Sequence, residues 1–145
     1  MVKTLNELEL TVSRKIPAPR QKVFDAWLSP SMLAKFMRPG GKDMTAKASN
    51  DPVKGGRFSI VMTDDGKEIP HAGTYLEIDP HSRLAFTWES PHSCDDSVVT
   101  IDFAELEPGI TEVTLHQVKF HSEQARDGHR GGWTAILEAL EDTLG

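Results

Sequence analysis

Ser122-Glu-Gln-Ala-Arg-Asp-Gly-His-Arg-Gly-Gly-Trp-Thr-Ala-Ile-Leu-Glu-Ala-Leu-Glu-Asp-Thr-Leu144 is the stretch on which the fold turns. Its apolar residues Trp133, Ile136, Leu137, Leu140 and Leu144 fall at i, i+3, i+4, i+7 and i+11, one face of a long α-helix. Arg130, Glu138, Glu141 and Asp142 take mostly the other side, and Ser122 is placed to cap the N-terminus. Gly131-Gly132 costs about 1 kcal/mol per residue relative to alanine. The pair predicts an early bend or a close approach of this helix to a neighbouring sheet.

Upstream the period changes from helical to two. Leu84, Phe86 and Trp88 alternate with polar or small neighbours, as do Val99, Ile101 and Phe103, then Val113 and Leu115. Phe58, Ile60 and Met62 alternate before Asp64-Asp65-Gly66, a hairpin turn, and residues 71–79 form a further strand around Tyr75, Leu76 and Ile78. Short connections between these runs predict antiparallel pairing in sequence order. Leu84, Phe86, Trp88, Val99, Ile101, Phe103, Val113 and Leu115 are expected on one side, facing Trp133, Ile136, Leu137 and Leu140.

The first half completes the pattern. Leu8, Leu10 and Val12 alternate as a strand that stops near Pro17 and Pro19. Val23, Phe24, Trp27 and Leu28 then share a helical face. Ser29-Pro30 is an N-cap followed by proline at the first helical position, and it opens a second short helix with Met32, Leu33, Phe36 and Met37 on its apolar side. Pro39-Gly40-Gly41 ends that helix, and Met44–Ala48 can form a short strand. One amphipathic helix covers only one face of so many strands. The expectation is therefore a single α+β domain over residues 1–145, with about seven antiparallel strands curved around the C-terminal helix.

Composition narrows the function. With 38% hydrophobic and 26% charged residues the chain is an ordinary globular one. The net charge of −6 disfavours nucleic acid as a partner. Basic residues gather at Lys35, Arg38, Lys42, Lys47, Lys54 and Arg57, while residues 58–112 are strongly acidic. The basic stretch reads either as solvated surface or as a lip that attracts an anionic ligand. A single cysteine, Cys94, allows no internal disulfide. The first ten residues lack the apolar core of a signal peptide, and no stretch approaches the roughly 20 apolar residues of a membrane span. A cytoplasmic location without a membrane partner is expected.

The motifs in series resemble a known family. They are the run from Ile16-Pro-Ala-Pro to Trp27-Leu-Ser-Pro30, then Gly55-Gly-Arg-Phe58, then Gly73-Thr-Tyr-Leu-Glu-Ile-Asp-Pro80 with Arg83-Leu-Ala-Phe-Thr-Trp88. His116 near Phe120 and His129-Arg-Gly-Gly-Trp133 complete them. Together, over nearly the whole chain, they resemble the family of proteins like the activator of heat-shock-protein-90 ATPase homologue. That family belongs to the START-like or SRPBCC superfamily, also called helix-grip or Bet v I-like. The resemblance implies a seven-stranded sheet gripping the C-terminal helix around a cavity, and hydrophobic-ligand binding for the superfamily at large. Phe36-Met37 stand where relatives carry tryptophans. The chain shows no counterpart of the separate N-terminal domain of the eukaryotic chaperone activator, so full ATPase stimulation is not expected.

Phe24, Trp27, Phe58, Trp88 and Trp133 are the candidate walls of a ligand pocket, with His129 as its polar contact. The same aromatic residues fit a plain core equally well. Such a pocket favours a compact, mainly apolar molecule with one hydrogen-bonding group, carried or sensed, and the resemblance implies a stress-related role. No metal site is expected, because His116, His121 and His129 lack the tight spacing of a single-helix set. No cofactor is expected either: the chain has no Walker loop, dinucleotide glycine fingerprint or nucleophile elbow. His92, Cys94, Asp95 and Asp96 cluster in a loop of ordinary composition, and no catalytic residue is assigned there. Two other readings remain. One is a cyclase- or hydrolase-like enzyme moving protons through His129, His116 or Glu89. The other is a chaperone-interacting module using the convex or acidic face.

Overall fold

The computed structural model describes residues 8–41, 43–94 and 96–144. Lys42 of the basic stretch and Asp95 of the loop cluster lie outside the described residues, as do residues 1–7 and Gly145. Among the described residues the order is β1 (Glu9–Ile16), α1 (Arg20–Ala26), α2 (Pro30–Phe36), β2 (Thr45–Asn50), β3 (Arg57–Asp64), β4 (Lys67–Asp79), β5 (Arg83–Thr87), β6 (Val98–Glu107), β7 (Ile110–Val118) and α3 (Glu123–Leu144). The strands pair antiparallel in one sheet, β1-β7-β6-β5-β4-β3-β2. This is the expected helix-grip arrangement, with α3 held on the concave side.

Local chemistry sets the element ends. Ser29 Oγ accepts from Met32 N at 3.4 Å, with Pro30 in the first turn of α2. Ser122 Oγ accepts from Ala125 N at 3.1 Å and so caps α3. Asp65 and Gly66 both take positive φ, the geometry of a two-residue hairpin turn between β3 and β4. Phe58 stands opposite Gly73, where a Cβ would lie 2.6 Å from the Phe58 ring and 2.0 Å from the Thr87 carbonyl oxygen. Only glycine lets that ring lie over the next strand. Register shifts at Tyr75/Glu77 and Glu105/Glu107 add the local twist that curls a sheet.

The inward face is the one the alternation marked. Leu84, Phe86, Trp88, Val99, Ile101, Phe103, Val113 and Leu115 are all buried with Trp133, Ile136, Leu137 and Leu140. The Trp88 and Trp133 ring centroids are 4.8 Å apart, which joins sheet to helix. β4 begins at Lys67, four residues before the predicted strand. Pro70 masks that extension in the sequence. β4 pairs with β5 from Tyr75 onward, with one isolated bridge at Ala72–Glu89. Pro70 lies beyond both, on the part of the strand with no described β5 partner, where a missing N–H is tolerated.

Two polar residues on the inward face escaped the alternation. Gln117 and Thr111 are fully buried. Gln117 Oε1 accepts from Trp133 Nε1 at 2.7 Å, while its Nε2 donates to Ser97 Oγ at 2.8 Å. Ser97 Oγ in turn donates to the Val118 carbonyl at 2.8 Å. The chain of bonds satisfies the buried indole N–H, which would otherwise cost about 1–3 kcal/mol. At the β1 edge, Arg14 faces inward to pair with Glu138 at 3.7 Å and with Glu141, tying β1 to α3.

Candidate ligand-binding cleft

Helix periodicity builds one wall of a cleft between α3 and the sheet. Ala125, Gly128, His129, Gly132, Trp133 and Ile136 project from α3 on one stripe. Met62 of β3, Ile69 and His71 of β4, and Trp88 face them. The rim comes from Pro39 and Met44 between α2 and β2, from Ser90, Pro91 and His92 after β5, and from His121, Ser122 and Gln124 at the start of α3. The space is about 650 Å³, within the range of small-molecule sites. The glycines of α3 do not mark a close approach to the sheet. A Cβ at Gly128 or Gly131 would meet nothing within 4 Å, and one at Gly132 only Pro39 Cβ at 3.7 Å. Gly128 and Gly132 instead leave the cleft unfilled.

His129 is held rigidly at this wall. A carbonyl oxygen only accepts, so Nδ1 carries the proton it donates to Ala125 O at 2.8 Å. Nε2 is then free to accept from Ser93 Oγ at 3.0 Å, and Ser93 Oγ also lies 2.7 Å from Ser90 Oγ. Burial lowers the pKa of His129. The Ala125 carbonyl opposes that shift, and charge on His92 adds to it. His71 is similar: its Nδ1 donates to Ile69 O at 3.1 Å, and its ring centroid lies 5.0 Å from that of Trp88. Its pKa is also lowered, first by burial. The Ile69 and Ile60 carbonyls oppose the shift, and charge on His129 and His92 adds to it.

These shifts carry a sign for stability. Both rings resist protonation in the folded state, whereas in the unfolded chain histidine takes up a proton near pH ~6.5. Their contribution is fully present above that value and declines as pH falls towards the folded-state values. The urea midpoint is expected to drop on acidification from about pH 7 to about pH 5, with a shallower drop in His129→Asn. An identical slope in the variant would show that His129 is not a coupled proton site.

The six residues singled out from sequence fall in three places. Trp88, His129 and Trp133 line the cleft. Trp27 and Phe58 line a separate void of about 10 Å³, room for about one water molecule, with Trp88 as the wall between it and the cleft. Trp27 Nε1 is buried without a hydrogen-bond partner among the described residues. Phe24 packs edge-on against Phe103 and His81 and lines neither space. His71, Ser93 and the Met44, Met62 and Ile69 walls were not singled out. Continuing the alternation of Tyr75 and Gly73 back through His71 to Ile69 would have found two of them.

The other candidates are scattered. His116 is on the outer face, 2.9 Å from Thr11 Oγ1 and 3.8 Å from Glu9. Glu89 is clamped by Arg57 at 2.8 and 3.1 Å and accepts from Thr87 Oγ1, so its pKa is lowered, chiefly by the Arg57 hydrogen bond. His92 lines the cleft, Cys94 Sγ lies 3.5 Å from His121 Nδ1, and Asp96 pairs with Lys119 at 2.8 Å. Among the described residues no three His, Cys, Asp or Glu side chains are grouped to hold a metal ion.

Solved structures share this architecture. A protein from Chromobacterium violaceum is 24% identical with a TM-score of 0.84, over 94% of this chain and 96% of that one. A protein from Mesorhizobium loti is 26% identical with a TM-score of 0.73, over 93% and 95%. The AHSA1-like protein from Aeromonas hydrophila is 24% identical with a TM-score of 0.80, over 93% and 90%. No curated protein matches the sequence. The family model described as Activator of Hsp90 ATPase homolog 1-like protein matches residues 17–145, and with the sheet, helix and cleft in that same arrangement the chain belongs to this family.

Proposed function

We propose that the protein binds a compact, mainly apolar molecule carrying one hydrogen-bonding group, as a carrier or sensor. The observation that carries this reading is the cleft of about 650 Å³ walled by Trp88, Trp133, Met44, Met62, Ile69 and Ile136. Both nitrogens of His129 are engaged. A ligand hydroxyl therefore reaches Nε2 by replacing that of Ser93, one hydrogen bond exchanged for another. The Ser93–His129 pair has the tautomer of a nucleophile and its base, which favours a hydrolase as second reading. Against it, Ser93 is buried and does not line the cleft. A chaperone contact rests on the family description. Among the described residues no helix is long and apolar enough to cross a membrane, in keeping with a cytoplasmic role.

The test is a titration with naphthalene, 2-naphthol and indole, read by tryptophan emission and thermal midpoint. Saturable quenching with a raised midpoint is the expected result, and His129→Gln should weaken 2-naphthol more than naphthalene. Unchanged emission and midpoint across the panel would sink the reading.

A further inference from the structure

Four of the six histidines of the chain, His71, His92, His121 and His129, line the cleft, and no described lining residue is a carboxylate. That is unexpected in a protein with 22 acidic residues against 16 basic ones. The acids on the surrounding segments lie outside the lining. Glu89 is held by Arg57, Asp96 by Lys119, and Asp127 by Arg126 and Arg130. Asp43, Glu68 and Glu123 flank Met44, Ile69 and Gln124 without lining the space.

The histidines divide by depth. His71 and His129 are half-buried; His129 spends both ring nitrogens, on Ala125 O and Ser93 Oγ, and His71 spends Nδ1 on Ile69 O. His92 and His121 are exposed at the mouth. Among the described residues the His92 ring makes no hydrogen bond, and His121 engages only Nδ1, with Cys94. The cleft is thus apolar inside and carries imidazole N–H donors at its opening, with no carboxylate among its described lining residues.

We propose that the ligand is a carboxylate, its apolar body between Trp88 and Trp133 and its acid group held at the mouth by His92 and His121. This rests on the reading of the cleft as a ligand site and moves the ligand's polar group from His129, whose Nε2 only accepts, to the mouth. From α3 the titratable group facing the mouth is His129. From β4 it is His71, and from the segment before α3 it is His121. Cys94 Sγ lies beside His121 Nδ1, and among the described residues no carboxylate lines the mouth, so an anionic acceptor meets N–H donors there.

The experiment compares 2-naphthoate with neutral 2-naphthamide and cationic 2-naphthylmethylammonium by calorimetry. The carboxylate is expected to bind roughly ten-fold tighter than the amide, and the cation weakest. In His92→Gln/His121→Gln the ratio of carboxylate to amide affinity is expected to fall to about one, whereas His92→Lys/His121→Gln should restore it. Equal affinities for carboxylate and amide, or a preference that survives the double glutamine variant, would overturn the proposal while leaving the cleft a ligand site. If none of the three compounds binds, both readings fall.

Discussion

Gly132→Leu combined with Gly128→Leu is expected to weaken naphthalene binding by at least ~100-fold while making the folded protein more stable. Neither glycine has the positive φ that would forbid a side chain. A Cβ meets nothing within 4 Å at Gly128 and only Pro39 Cβ at 3.7 Å for Gly132. Both positions line the cleft, so the added leucine carbons occupy the space between α3, Trp88 and Met62. Each substitution also removes a glycine from a helix interior, a gain of about 0.5–1 kcal/mol. Isothermal titration and urea denaturation of the same samples check the two signs. A loss of binding through damage to the fold would lower both, and affinity retained in a stabilised variant would place the ligand elsewhere.

Leu137→Ala is expected to lower unfolding free energy by about 2–5 kcal/mol, the usual cost of emptying a buried leucine site. Leu137 is 1% exposed near the middle of the gripping face of α3, among Trp133, Ile136 and Leu140. Glu138, the next residue, is exposed and among the described residues reaches only Arg14, at 3.7 Å. Glu138→Ala should therefore cost less than about 1 kcal/mol. A urea midpoint unmoved by Leu137→Ala would show that α3 is not docked in the sheet. Equal losses in the two variants would point to helix propensity rather than packing.

The elements were legible wherever local chemistry decides them. Ser29 and Ser122 cap α2 and α3, Asp65-Gly66 turns β3 into β4, and each alternating run became a strand with its apolar side inward. What escaped were residues whose environment depends on a distant segment. Pro70 argues against a strand unless β5 is known to stop short of it. Gln117 looks like a surface residue until Trp133 and Ser97 arrive to satisfy its amide. Glu89 looks like an available base until Arg57 is set beside it from β3.

The sequence by itself determined the order of the elements, the face each one buries and hence the grip of the sheet on α3. Periodicity, caps and turn residues act within about one turn or one hairpin, and a linear reading contains all of them. Only the tertiary structure decided which aromatic residues stand around open space and which are packed solid. Trp88 and Trp133 border the cleft, Trp27 and Phe58 close a space too small for a ligand, and Phe24 is spent against Phe103. An aromatic ring is equally apolar in a core and in a pocket wall. The difference is the distance to the opposite wall, set here by the curl of β3 and β4 and by the missing side chains of Gly128 and Gly132. The set of histidines lining the cleft has the same origin: residues 71, 92, 121 and 129 are unrelated along the chain and meet only because the sheet closes on α3.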